Sequence, residues 1–591
     1  MPDQKNLILA IAASVAILVG FQFFFEAPRR EAEIARQQVL EQQAQTQTPT
    51  PAVPGAAIPP AVETAPAAPV AGQAQPAPVV AVDRATVIAE TPRVVIDTGR
   101  LLGSIALKGG RIDDLTLTDY RETIDPTSPQ VVLLSPTGSA NPYFAEFGWS
   151  TTRDAAIKVP DAATLWTASA GKLTPDRPVL LTWNNGEGLR FEREIAIDQD
   201  FMFTVTQRVS NNGPAAVTLF PFGLISRTGT PEVSRFFILH EGPLGVFNST
   251  VDRFDYDDLQ DDGRIVNAST GGWIGITDKY WLTALIPDQS VSVTAGFGHR
   301  LDNDIDKYQA DFLQSGVNVA AGASSVVTSR LFAGAREVDV IQRYSETLGI
   351  DRFDLAVDWG WLPFLTKPAF IALKFFSDWT GNFGVAIILL TLLIKIAFFP
   401  LANRSYRAMS KMKLLQPEMK KIKERFGDDR QRQQQEMMAL YKREKANPVS
   451  GCLPIFIQIP VFFALYNILF VTIEMRHAPF FGWIHDLSAP DPFNLFNLFG
   501  LIPWTPPSLI PAVGIWPILM GVSMWAQMRL NPQPTDPMQA RIFMFLPFLF
   551  TFILAPFPAG LVIYWTVNNV LSVGQQWFIM RRAGVKNPAA T

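Results

Sequence analysis

Cysteine is nearly absent: the 591 residues contain one, Cys452, which excludes an intrachain disulfide framework. Histidine is scarce too. His240, His299, His477 and His485, together with Cys452, never fall at metal-ligand spacing, so nothing points to a zinc site of the usual kind. The phosphate-cradling run of Gly, four residues, Gly-Lys and a hydroxyl residue does not occur, so the chain has no ATP chemistry of that type. No catalytic triad stands out, and no catalytic residue, cofactor, metal or small-molecule substrate is expected. Charge is thin as well, at 18%, against about 25% in an average soluble domain. The 50 basic and 54 acidic residues give a formal net charge of −4, which excludes a basic protein that coats nucleic acid. With 48% hydrophobic residues the chain is not disordered, and its length allows several domains.

The apolar residues are unevenly spread. Leu7–Phe25 is an almost uncharged run close to the roughly 20 residues that span a bilayer. It ends in Phe23-Phe24-Phe25-Glu26, a poor cleavage site, so it reads as an uncleaved anchor (1–26) and not a signal peptide. Residues 27–84 are rich in Ala, Pro and Gln, the composition of an extended tether. Over 85–335, short segments such as Arg93–Asp97, Ser104–Leu107, Phe191–Ile197 and Met202–Val209 alternate apolar and polar residues. Gly109-Gly110, Asn184-Asn185-Gly186 and Asn211-Asn212-Gly213 supply turns between them. That texture predicts a large all-β sandwich. Residues 336–380 turn helical. Trp359, Trp361, Phe364, Phe370, Phe375, Phe376 and Trp379, interleaved with Lys367, Lys374 and Asp378, predict an amphipathic helix at a membrane surface.

Further spans are predicted at Phe383–Leu401, Cys452–Ile473 and Leu509–Met528, and two more within the uncharged Ile542–Met580, broken by Pro556-Phe557-Pro558. The arm Ile542–Ala555 covers only about 21 Å, so either it begins earlier or the bilayer thins around it. The loop Asn403–Ala446 carries 13 Lys/Arg against 6 Asp/Glu, a net +7 that leaves −11 elsewhere. The positive-inside rule places that loop in the cytoplasm. Parity then puts both termini there and the sandwich outside, although Arg29 and Arg30 at the first span point the other way. The expected architecture is a multi-domain membrane protein. It has an α-helical transmembrane bundle (one N-terminal anchor plus five core helices), a periplasmic all-β sandwich and a cytoplasmic helical hairpin. Its segments are helix 2 at 381–402, the hairpin at 403–446, helices 3–6 at 447–580 and a cytoplasmic tail at 581–591.

Lys395 is the one full charge inside these spans, predicted about 9 Å from the cytoplasmic end of its helix. It either snorkels to the headgroups or marks a functional wet site. Thr391 lies one turn earlier on the same face. Other spans bring Gln458, Asn467, Ser523, Gln527, Asn568, Asn569, Ser572, Gln575 and Gln576, each costly against lipid. In the hairpin, Met409, Met412, Leu415, Met419, Ile422 and Phe426 form a stripe, Gly427-Asp428-Asp429 a turn, and Asp429 a candidate N-cap. The stripe is either the seam of a plain coiled coil or an adaptable surface for apolar clients, which methionine suits.

These residues resemble the YidC membrane-protein insertase family over essentially the whole chain. The matching stretches are GNFGVAIILLTLLIKIAFFPL (Gly381–Leu401), KMKLLQPEMKKIKERFGDD (Lys411–Asp429), QQEMMALYKREKANPVSGCLPIFIQIPVFFALY (Gln434–Tyr466), FGWIHDLSAPDPF (Phe481–Phe493), TDPMQARIFMFLPFLFTF (Thr535–Phe552) and FPAGLVIYWTVNN (Phe557–Asn569). GGWIGITDKYWLTALIP (Gly271–Pro287) looks like the signature of the family's periplasmic domain. The resemblance implies no enzyme. It implies a chaperone that inserts nascent membrane proteins into the bacterial inner membrane, alone or with the Sec translocon (SecYEG and SecDF). Its implied partners are ribosome–nascent chain complexes and the phospholipid bilayer. It also implies a hydrophilic groove open to cytoplasm and lipid, with a cation that is usually Arg where this chain has Lys395. By the same resemblance Thr391, Gln458, Phe462, Tyr564 and Trp565 line the groove or meet the client, and Trp565 departs from the more usual Tyr. Gln527 and Asn568 complete the candidate groove, and Met409, Met412 and Met419 the candidate capture surface. Two rivals are weighed against this: a transporter, disfavoured because the spans show no inverted repeat, and an envelope-sugar enzyme built on the sandwich.

Overall fold

The computed structural model describes residues 82–152, 157–233, 239–427, 429–444, 453–502, 512–531 and 537–582. The anchor, nearly all of the tether, Cys452 and the tail beyond Arg582 lie outside the described residues.

Alternation builds the sheets. In Leu189–Ile197 every second residue is buried, from Leu189 and Phe191 to Ile195 and Ile197, as a half-buried strand requires. Met202–Asn211 returns antiparallel with Phe203 opposite Ile197, and Ser324–Ala335 pairs on its other side. Such strands form a nine-stranded and an 11-stranded sheet. Phe191, Phe203 and Leu331 of the first share one core with Ile96, Leu115, Phe147 and Phe312 of the second. The β-sandwich is therefore present. Arg93–Asp97 is a strand as predicted. Ser104–Leu107 is corrected to Leu101–Ala106, because Gly103 interrupts the alternation where it closely approaches the Asp114 backbone.

Several buried positions of the sandwich are polar, and one of them pins the two sheets. Arg193 is buried, donates to the Gly110 carbonyl at 2.8 Å and to the Phe147 carbonyl, and lies 4.7 Å from the Trp166 ring centroid. Burial pushes its guanidinium down to about 10. Gly110 has φ +64°, and a Cβ there would sit 2.6 Å from Arg193 Nη1, so the predicted Gly109-Gly110 turn is also the seat of this pin.

Two short helices belong to the sandwich, α1 (Arg84–Ala89) and α2 (Tyr256–Asp262). Asp83 caps α1, and Arg84 donates to Thr116 Oγ1 at 3.2 Å and pairs with Asp114. The folded unit thus begins just before the predicted boundary at 85. Helix α3 (Val338–Thr347) leads out of the sandwich to α4 (Pro363–Thr380). On α4, Thr366, Phe370, Leu373 and Ser377 are buried while Phe364, Ile371, Phe375 and Trp379 are exposed. This is the two-faced helix the aromatic pattern predicts.

Helix α5 (Phe383–Ala397) breaks into α6 (Phe399–Arg425) with a 68° bend. Pro400 explains the break: it has no N–H to continue the helical ladder, and its ring would clash with the Ile396 carbonyl four residues earlier in an unbroken helix. The predicted straight span to Leu401 is therefore corrected, and Lys395 sits in the last turn of α5, about 3 Å and not 9 Å from its end. Helix α7 (Arg430–Arg443) folds back beside α6, capped by Asp429, whose carboxylate accepts from Arg432 N at 3.0 Å. Then follow α8 (Leu453–Val471), α9 (Ile515–Leu530), α10 (Pro537–Ile553) and α11 (Ala559–Arg582). The α10–α11 break falls at the predicted prolines. Helix α10 begins earlier than Ile542 and so gains length, to about 26 Å. Among the described residues no single helix is both long and apolar enough to cross a membrane; α5 and α6 together are, but only as a bent pair.

The signature stretch joins the two parts of the molecule. Lys279 Nζ lies 4.2 Å from the Phe470 ring centroid at the end of α8. Arg476 Cζ lies 5.4 Å from the Trp281 centroid, and its guanidinium donates to the carbonyls of Arg121 and Glu122. Glu474 accepts from Val338 N at 3.1 Å, at the start of α3.

Candidate functional site: a cationic groove among the helices

Helices α5, α6, α8, α9, α10 and α11 enclose a cavity of about 1220 Å³. Lys395, Gln458, Phe462, Gln527, Tyr564, Trp565 and Asn568, predicted from four separate segments, all line it. Asn569 and Ser572 join them. The polar groups are mutually held: Lys395 Nζ donates to Ser572 Oγ at 2.7 Å, and Gln458 Nε2 donates to Tyr564 Oη. Asn569 Nδ2 donates to Ser523 Oγ at 3.1 Å just outside the cavity wall. Of the scattered polar residues, Gln458, Gln527, Asn568, Asn569 and Ser572 converge on the cavity, whereas Asn467, Ser523 and Gln576 are buried without lining it. Lys395 also borders a smaller void with Gln458, Tyr406 and Gln575.

Much of the remaining lining is apolar. Phe462 and Trp565 meet edge-on at 4.8 Å between centroids. Ile459, Phe463, Trp525, Phe543 and Met544 extend this surface, and most of them are exposed. A cation and amides that share one cavity with rings and thioethers suit an amphipathic segment with a polar or acidic flank.

Two expected residues are misplaced. Thr391 is buried, and its hydroxyl donates to Ile387 O of its own helix at 2.7 Å, which turns it away from the cavity. Met419 is not on an open face either. It is buried between the hairpin arms, with Tyr441 Oη 3.9 Å from its Sδ. Met409 and Met412, by contrast, line the cavity itself. The capture stripe thus divides into a seam half and a groove half.

The lining residues not expected from the sequence include two cations and an amide, Arg529, Arg541 and Asn531. The spans were drawn to Met528 and from Ile542, so each arginine fell just outside a boundary. Reading α10 from Pro537 would have included Arg541.

The chain is similar to known proteins along both of its parts. The family described as "60Kd inner membrane protein" matches residues 375–586, and the family "YidC periplasmic domain" matches 93–372. The chain is 52% identical to the membrane protein insertase YidC of Bradyrhizobium diazoefficiens over 99% of this chain and 97% of that one. It is 51% identical to that of Methylobacterium radiotolerans, over 99% and 96%. A solved structure of an active YidC insertase aligns over 83% of this chain and 95% of its own, at 16% identity and a TM-score of 0.35. The assignment rests on the full-length relatives. An insertase moves polypeptide into a bilayer and makes or breaks no covalent bond, so this is not an enzyme family. Its members are inner membrane proteins with a periplasmic β domain and a helical region, the two parts seen here. The chain belongs to the YidC family of membrane protein insertases.

Proposed function

We propose that this chain inserts nascent proteins into the bacterial inner membrane by holding the polar flank of a client in the α5–α11 cavity while the client's apolar helix leaves along the apolar wall into lipid. One observation carries the reading: Lys395, Gln458, Asn568 and Ser572 line one cavity together with Phe462, Trp565, Phe543 and Met544. A helix with side chains is about 10–12 Å wide. A cavity of about 1220 Å³ therefore takes roughly two turns of it. That is enough for a flank and too little for a whole span of about 30 Å. A client held this way is partly wet and partly dry, so less of the crossing remains unfavourable, and burial of its apolar side chains in lipid drives release.

In this reading the anchor and five core spans cross the membrane, with both termini and the α6–α7 hairpin in the cytoplasm and the sandwich in the periplasm. The two-faced α4 lies at the periplasmic surface with Phe364, Ile371, Phe375 and Trp379 toward lipid. Clients arrive from ribosome–nascent chain complexes or from the Sec translocon (SecYEG, SecDF). Site-specific photo-crosslinking from groove residues during translation tests the reading. Client adducts are expected from Phe462 and Trp565, and none from Ile371 on α4 before release.

A further inference from the structure

The cavity holds more positive charge than Lys395. Arg529 in the last turn of α9 and Arg541 in the opening turns of α10 also line it, and no acidic residue is among its lining side chains. Both arginines are exposed whereas Lys395 is half-buried, so they mark the mouth and Lys395 the interior. Arg529 Cζ lies 4.9 Å from the ring centroid of Trp525, another lining residue. That contact holds its guanidinium against the wall. Helix stability accounts for Arg529, because a cation is favoured at a helix C-terminus. It does not account for Arg541, which stands near the positive end of α10.

We infer that Arg529 and Arg541 form an outer cationic station that receives acidic groups of a client's translocated segment before Lys395 does. This rests on the groove reading above. The two guanidiniums present forks suited to carboxylates. They lie in water, where their field raises the local concentration of acidic segments but is screened by salt. Lys395, further in, is screened less. An acidic residue thus moves from an exposed pair of cations to a single sheltered one. The inner site then discriminates by desolvation and the outer by charge alone.

The test compares two clients that differ only in a translocated tail, acidic or neutral, in vesicles reconstituted with the full chain. The double variant Arg529→Gln/Arg541→Gln is expected to lower the acidic-to-neutral ratio of insertion rates roughly three- to tenfold, the scale of two exposed charge pairs. Arg529→Lys/Arg541→Lys is expected to restore most of it. Photo-crosslinks of the acidic client to position 544, at the mouth, should fall with the ratio. If the double Gln variant leaves the ratio intact while Lys395→Glu lowers it, the outer station is wrong and the groove reading survives. If neither change moves the ratio, both are wrong. A variant that slows both clients alike, with the effect lost in phosphatidylcholine-only vesicles, would assign the pair to anionic lipid headgroups and overturn the proposal. Should the variants fail to accumulate, the unaltered protein decides. Raising salt must lower the ratio, and a salt-independent ratio contradicts an exposed station.

Discussion

Lys395 Nζ donates to Ser572 Oγ at 2.7 Å, and Ser572 in turn donates to the Asn568 carbonyl at 2.7 Å. The ammonium is thus tied from α5 to α11 by a neutral hydroxyl. Among the described residues no acid in the cavity wall cancels its charge, so that charge remains available to a client.

Lys395→Arg is therefore expected to keep insertion, since the charge persists although the head is larger and forked. Lys395→Ala should slow clients with acidic translocated tails several-fold, and Lys395→Glu more, because charge interactions strengthen in a half-buried site. Insertion assays with matched acidic and neutral clients check this.

The hairpin gives a second expectation. Glu418 and Arg443 pair at 2.9 Å between its arms, so cysteines placed at both positions can be joined by a bifunctional thiol crosslinker that spans the length of the two lost side chains. If hairpin motion delivers clients to the groove, locking slows insertion and reduces client crosslinks to Met409 and Met412. Crosslinks to Met419 should be few in either state, because it is buried in the seam. Equal rates in locked and free forms would assign the hairpin a static role.

A third concerns the junction. Burial, with Glu337 and Asp339 nearby, pushes Glu474 from 4.5 up to about 7, and the Val338 N–H only partly opposes this. The folded junction thus binds a proton more tightly than the unfolded chain does. Its stability is greatest at the acidic end of the window from 4.5 to about 7 and declines as pH rises through it. Hydrogen exchange at the start of α3 should quicken from the acidic to the basic side of that window. Glu474→Gln should flatten the dependence.

Excision of the sandwich makes a fourth case. No groove residue comes from it, so its removal should spare insertion while weakening partner contacts. A cut at 330 would divide strand Ser324–Ala335, so the clean excision ends at Ala335 and leaves the α3–Glu474 contact intact. A shortened protein that is stable and correctly oriented yet inactive would refute this.

The sandwich was legible because alternation is a local property: Leu189–Ile197 declares its buried face in nine residues. Helix content was legible for the same reason, and the two-faced α4 could be read from its aromatics. What escaped depends on contacts between segments. Thr391 shares a helix face with Lys395 in one dimension, yet its hydroxyl turns back to Ile387. Met419 and Met412 share one stripe, but only α7 packing onto α6 decides which is covered. Arg529 and Arg541 were missed because an uncharged run was taken as the limit of each helix, whereas α9 and α10 continue past it into polar sequence.

The account's central claim, that clients pass through the α5–α11 cavity, is tested most directly by photo-crosslinkers placed at Phe462 and Trp565 during translation of a single-span client with an acidic tail. The account predicts adducts from both positions while the client is attached to the ribosome, declining after release, with Lys395→Glu reducing them. Adducts no stronger than those from Ile371 on the exposed face of α4, or adducts unaffected by Lys395→Glu, would contradict it.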